Sequence, residues 1–151
     1  VALPTKHQNN GDCPKCKELF DKYPGFYQPL RDWFISFQKK CPEAHISCAG
    51  RGAVDQDAKK LEGRSKASFG KSAHNYNAAI DLFVNKPFTN LYDLAWFNAN
   101  VAPAIPLSLN WYGSPGSRFP EIPHIEARNW KELRDAGVLT LVEPMPAGDL
   151  S

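Results

Sequence analysis

The chain has 151 residues, 42% hydrophobic and 12% aromatic, which suits one compact domain with a sizeable core and excludes an intrinsically disordered chain. Its formal net charge is +2, and lysines and arginines are interspersed with acids instead of gathered in blocks, so nucleic acid is not an expected partner. No apolar run reaches the length of a membrane helix, so no membrane insertion is expected, and nothing in the sequence requires more than a monomer.

The segment Val1–Cys13 is polar and has no signal-peptide apolar region. The expectation is a protein made without an export signal, or one from which the signal has been removed. Pro14 to Tyr23 is predicted as a short helix ended by Pro24-Gly25. From Phe26 to Lys40 the pattern is stronger: Phe26, Leu30, Trp33, Phe34 and Phe37 recur at helical spacing and form one apolar face, read as core. Pro29 sits in its first turn, where a missing N–H costs little. Cys41-Pro42 stops that helix, and Ala44 to Ala49 is predicted as a strand leading into Gly50-Arg51-Gly52.

A polar helix is predicted over Val54–Leu61 and a surface loop over Gly63–Lys71. Ala78 to Val84 is an apolar, strand-like run with a single charge, Asp81, embedded in it. A buried carboxylate needs partners, which singles Asp81 out. A helix is predicted from Phe88-Thr89-Asn90 towards Asn100, ended by Pro103 and Pro106; Leu107–Trp111 reads as a strand and Gly113–Pro120 as a loop. His124–Ala127 is a short strand, Asn129-Trp130 caps a helix through Ala136, Val138–Val142 is a final strand or extended edge, and the tail from Pro144 is loose. The order predicts an α+β domain, with early helices packed on a small, mostly antiparallel sheet.

Cys13, Cys16, Cys41 and Cys48 all lie in the first third of the chain. Cys13-Pro-Lys-Cys16 has the gap of a zinc knuckle or a redox pair, whereas Cys41 and Cys48 stand further apart. Two disulfides, a structural four-cysteine zinc site and free thiols packed as small hydrophobes all remain open.

His74, Asp81 and His124 supply two imidazoles and a carboxylate, the donor types of a catalytic zinc site with its fourth position left to water. Asn75-Tyr76-Asn77 argues against a helix between His74 and Asp81, so His74 is expected on a turn, Asp81 on the strand after it, and His124 on a neighbouring strand. Glu121, three residues before His124, is placed to act as general base on that water. Arg51, at a strand end, suits a developing oxyanion or a substrate carboxylate. This is the chemistry of amide hydrolysis. Singly, each residue also has a structural explanation: hydrogen-bonded core histidines, a salt-bridged aspartate, a solvated loop acid, a turn cation.

Ser72-Ala73-His74, Ala79-Ile80-Asp81 and Glu121-Ile122-Pro123-His124 together resemble the zinc D-alanyl-D-alanine carboxypeptidase/dipeptidase family, which includes phage L-alanyl-D-glutamate endopeptidases acting as endolysins. Arg51 followed by Gln56 matches an upstream feature of that family, and Leu109-Asn110-Trp111-Tyr112-Gly113 resembles its Trp-Gly segment. The similar region runs from about Ala44 to Ala127, and the motif order is kept.

The resemblance implies a hedgehog/D-Ala-D-Ala peptidase-like fold with the site on the central sheet. It implies His74, Asp81 and His124 as Zn2+ ligands, Glu121 as general base, Arg51 as polarising or substrate-binding cation, and Ser72 and Gln56 as supporting polar groups. The implied organisation is one zinc peptidase domain: a helical, cysteine-bearing part over 1–43, a catalytic core over 44–127 and a loose tail over 144–151. The implied substrate is the peptidoglycan stem peptide, cut by L-alanyl-D-glutamate endopeptidase action, with a D,D-carboxypeptidase or dipeptidase as runner-up. An endolysin held in the host cytoplasm until lysis is the expected setting, and a secreted mature enzyme the alternative. Two departures stand out: Asn77 replaces the family's usual glycine, and Ile122-Pro123 replaces a bulky or aromatic pair. Asparagine tolerates a left-handed backbone, so the turn is expected to persist. The rival readings are a zinc-containing wall-binding module without catalysis, and a zinc-knuckle interaction domain built on the cysteines.

Overall fold

In the computed structural model, which describes residues 7–8, 12–63, 68–84, 93–113 and 122–145, the aromatic stripe lies on one helix, α2 (Gln28–Lys40), with Pro29 in its first turn. Leu30, Phe34 and Phe37 of α2 are buried, and Phe34 and Phe26 both meet the ring of Phe20. Phe20 ends α1 (Pro14–Phe20), three residues before the predicted Tyr23; Asp21 is its C-cap, and the chain leaves the helix through a turn in which the N–H of Lys22 meets Leu19 O.

These helices cover one face of a four-stranded antiparallel sheet made of β1 (Ala44–Cys48), β2 (Ala79–Val84), β3 (Leu109–Trp111) and β4 (His124–Ala127), in the order β1-β2-β4-β3. Strand side chains alternate between faces. Ile80, Leu82 and Val84 are wholly buried in the core with Ile46, Leu109 and Ile125, while Asp81 and Phe83 alternate with them and are less buried. The α+β class expected from the element order is therefore the observed one. The remaining helices among the described residues are α3 (Ala53–Leu61), α4 (Leu94–Asn100) and α5 (Trp130–Asp135). No helix among the described residues is long and apolar enough to cross a membrane.

Several boundaries move. The helix start expected at Phe88-Thr89-Asn90 lies outside the described residues; α4 begins at Leu94, capped by Asp93 Oδ1, which accepts from the N–H groups of Ala95 and Trp96. Leu107 is exposed, and a turn from Pro106 to Leu109 delays β3. Val138–Val142, expected as a final strand or an extended edge, joins no strand of the sheet. Gly137, at φ +80°, ends α5, and the N–H groups of Val138 and Leu139 fold back to the carbonyl of Leu133. Val142 then donates to Asn75 O, so this segment braces the turn carrying His74. Of the loops expected at Gly63–Lys71 and Gly113–Pro120, 64–67 and 114–120 lie outside the described residues, as does the tail from 146.

No disulfide joins the four cysteines, and they do not gather into a four-cysteine cluster. Cys41 lies against Asn100, and Cys48 lies beside His74.

Asn77 occupies the left-handed region at φ 55°, ψ 36°, so the turn expected there is present. Its side chain donates to Pro24 O, and its carbonyl accepts from the N–H of Tyr27, tying the turn to the start of α2. Asn77→Ala should lower unfolding free energy by about 1–2 kcal/mol in a urea titration, through left-handed strain and the lost bond.

Candidate metal centre

A single 3-10 turn, Ala73–Tyr76, carries His74. Ser72 caps it: its Oγ accepts from the N–H of His74, and Asn75 Oδ1 accepts from the N–H of Ser72. Ala73, Ala78, Ala79 and Ala127 pack with Trp130 and Leu139, fixing the turn against α5. Asp81 lies at the middle of β2, and the strand register sets His124 directly opposite it on β4. On the other side, a bulge between Ile46 and Cys48 brings Cys48 opposite Asp81. Without that extra residue the two-residue alternation would point Cys48 to the same side as Ile46. Trp111 Nε1 donates to Ile122 O at 2.8 Å, anchoring the approach to His124. A Cβ on Gly113 would strike the Trp111 ring, which accounts for the glycine in that segment.

Three donor atoms converge. His74 Nε2 lies 3.2 Å from Asp81 Oδ1, and His124 Nδ1 lies 3.3 Å from the same oxygen. The far nitrogens are also held: His74 Nδ1 is 2.7 Å from Ala49 O, and His124 Nε2 is 2.7 Å from Glu126 Oε1. A carbonyl can only accept, so the Nδ1 of His74 carries a proton, and a neutral ring presents its lone pair at Nε2 towards Asp81. Glu126 does the same for His124 and is held in turn by the Tyr112 hydroxyl, which donates to Oε2 at 3.1 Å. Oxygen acceptors behind the imidazoles are how metal-binding histidines are oriented.

Asp81 Oδ2 accepts from Arg51 Nη2 at 3.2 Å, and Arg51 Nη1 donates to Gln56 Oε1 at 3.2 Å. Asn75 Nδ2 bridges Gln56 Oε1 and Arg51 O, closing a buried polar network around the guanidinium. Burial alone lowers the His74 pKa, but the Asp81 carboxylate outweighs it and lifts the group to about 10. For Asp81, burial acts upward, and the charge and hydrogen bonds of His74 and His124 hold the carboxyl well below its ordinary range. His124 is likewise raised, burial opposing and the bonds to Asp81 and Glu126 prevailing. All three shifts share one cause, the Asp81 carboxylate lying between two imidazoles: it favours their charged forms and they favour its own.

Of the residues singled out in the sequence, the structure brings together His74, Asp81, His124, Arg51 and Gln56. Ser72 is spent on the cap of the His74 turn, and Glu121 lies outside the described residues. Glu126 and Asn75 join the network without having been singled out as site residues; Tyr112 was read only as part of the Trp-Gly segment, and Cys48 only as one of the four cysteines. Glu126 carried a usable signal, being a lone acid in the apolar strand His124–Ala127, as Asp81 is in its own. Cys48 belongs to a second donor combination, with His74 and Asp81. Its sulfur lies 3.8 Å from His74 Nδ1, the nitrogen already bonded to Ala49, and 3.6 Å from Arg51 Nη2.

No protein-family model and no curated protein sequence matches the chain. Among solved structures, the crystal structure of the Serratia marcescens L-Ala D-Glu endopeptidase ChiX aligns with a TM-score of 0.59 over 80% of this chain and 89% of that one, at 17% identity. The two proteins share a fold. At this identity the similarity concerns the α+β architecture; the site rests on the donors described above.

Proposed function

We propose that this chain is a zinc-dependent peptidoglycan hydrolase that cuts amide bonds of the stem peptide, with L-alanyl-D-glutamate endopeptidase action as its reaction and a phage endolysin as its setting. The observation that carries this reading is the convergence of His74 Nε2 and His124 Nδ1 on Asp81 Oδ1, each imidazole fixed from behind by an oxygen. The fold shared with an L-Ala D-Glu endopeptidase points to the bond.

The donors fit zinc. Two imidazoles and one carboxylate make a three-ligand set, which leaves a position open, as catalytic sites do and structural sites do not. Zinc bound there would supply a Lewis acid and bring the pKa of water from 15.7 to roughly 7. The protein supplies the rest. Glu121 takes a proton from the attacking water and returns it to the departing amine. Arg51 neutralises Asp81 Oδ2 and leaves Oδ1 facing the histidines, while Gln56 and Asn75 hold the guanidinium. Turning Arg51 to a substrate oxyanion would exchange its bond to Asp81 for one to the substrate. Ser72 acts through the turn it caps.

Glu126 fixes the tautomer of His124. Glu126→Gln should therefore weaken zinc binding by about 10–100-fold, read by competition with a chromophoric chelator. An unchanged affinity would show that the Glu126 contact does not orient a ligand.

The reading is tested by incubating the zinc-loaded protein with purified peptidoglycan and identifying the new termini by mass spectrometry. New L-alanine carboxyl and D-glutamate amino ends establish the endopeptidase. Released terminal D-alanine would select a D,D-carboxypeptidase instead, and an intact substrate with zinc bound would leave a binding module.

A further inference from the structure

A second group of metal-binding side chains gathers at the start of the edge strand β1, where His45 pairs with Phe83, two positions along β2 from Asp81. It joins His7, Cys13, Cys16 and His45, whose candidate donor atoms all lie within 4.8 Å of one another. From these residues we infer a structural Cys2His2 zinc site that fastens the N-terminal segment and α1 to the edge strand β1.

Three of the six donor–donor separations match the edges of a zinc tetrahedron. His7 Nδ1 lies 3.3 Å from Cys13 Sγ and 3.5 Å from Cys16 Sγ, and His45 Nδ1 lies 3.7 Å from Cys16 Sγ. Zinc–sulfur bonds of about 2.3 Å and zinc–nitrogen bonds of about 2.0–2.1 Å at the tetrahedral angle place sulfur and nitrogen about 3.6 Å apart. The three observed edges scatter around that value. The donor set is complete at four, which distinguishes it from the three-ligand centre on β2 and β4.

Hydrogen-bond donors face both sulfurs. The backbone N–H of Ile46 points at Cys16 Sγ from 3.5 Å, and that of Cys16 points at Cys13 Sγ from 3.4 Å. Gln38 Nε2 lies 3.6 Å from Cys16 Sγ. Donors aimed at sulfur stabilise a thiolate and orient the ligand, as outer-shell groups do in zinc sites. Cys13, Cys16 and His45 are buried, and His7 closes the group from outside, with its ring against those of His45 and Phe83.

The arrangement also explains why Cys13 and Cys16 keep a knuckle spacing while Cys41 and Cys48 do not: the other two ligands are histidines. The helix α1 has only seven residues, too few to be stable alone. With Cys13 as its N-cap and Cys16 in its first turn, a metal there would fix the helix start and the β1 edge in one step.

The test uses the full chain stripped of metal and reloaded with Co2+ or Zn2+. Cobalt should give an intense sulfur-to-cobalt charge-transfer band that is lost in Cys13→Ser/Cys16→Ser. Zinc should slow iodoacetamide labelling of Cys13 and Cys16 by roughly tenfold or more, and a chelator should restore it. Residue-by-residue mass mapping separates these cysteines from Cys48, which lies beside the other centre. Cys13 and Cys16 labelled equally fast with and without zinc would overturn the inference, as would a Cys13–Cys16 disulfide in the zinc-loaded protein. The labelling experiment needs no variant, so it decides the matter even if the double substitution does not fold. Neither readout depends on peptide hydrolysis, so this site and the proposed reaction stand or fall separately.

Discussion

Glu121→Ala is expected to lower kcat for stem-peptide cleavage by about 10²–10⁴, the range a positioned general base contributes. Bound zinc should stay unchanged, because Glu121 is not among the three donors, and KM should move little. Glu121→Gln should fail nearly as badly, since an amide of the same size cannot take the proton. That contrast gives the prediction its edge: a glutamate needed only for shape or for a hydrogen bond would be largely rescued by glutamine. Retained kcat in both variants would remove Glu121 from the reaction. A loss of zinc in either would place it among the ligands instead.

Asp81→Asn should have the largest effect on the protein as a whole. It removes the anionic donor, so the site should lose zinc and activity together. It also disturbs the metal-free fold. Arg51 is only 6% exposed and cannot shed its charge, whereas His74 and His124 can lose a proton. Removing one partner of a buried ion pair costs about 3–5 kcal/mol, and Gln56 offers Arg51 only a neutral oxygen in exchange.

The pH dependence follows from the same network. The folded pKa of Asp81 is depressed, so its contribution is present above 3.8, its ordinary value, and is lost as pH falls through the lower folded value. His74 is raised from 6.5 to about 10, so its contribution is full below 6.5 and fades as pH rises through about 10. The metal-free protein should therefore be most stable between these limits, and in Asp81→Asn both arms of the profile should flatten. Urea titrations across pH on metal-free protein read both effects. A variant as stable as the parent at neutral pH would show that Arg51 does not depend on Asp81.

The sheet and its main helices were readable because burial imposes period: α2 announces itself through Leu30, Phe34 and Phe37, and β2 through Ile80, Leu82 and Val84. The lone charge of Asp81 inside that second run marked the site. Tertiary geometry was not written locally. The bulge that sets Cys48 opposite Asp81 depends on strand pairing, and no spacing rule within β1 reveals it. Val138–Val142 has strand composition, yet its hydrogen bonds go to the α5 end and to Asn75, because the helix cap at Gly137 turns the chain back first. His45 and His7 were passed over beside the cysteines because their partnership spans from residue 7 to residue 45 and crosses three elements. Glu126 was missed for a simpler reason: its role is set by its contact with His124 Nε2, which only the folded strand creates.

In the proposed centre the His74 turn, β2 and β4 close on one metal ion. Anomalous diffraction at the zinc edge from crystals of the zinc-loaded protein tests it directly. The expected result is a peak within bonding distance of His74 Nε2, Asp81 Oδ1 and His124 Nδ1, with a solvent position completing the tetrahedron. Well-ordered side chains at these residues with no peak between them, in crystals grown with zinc in excess, would contradict it.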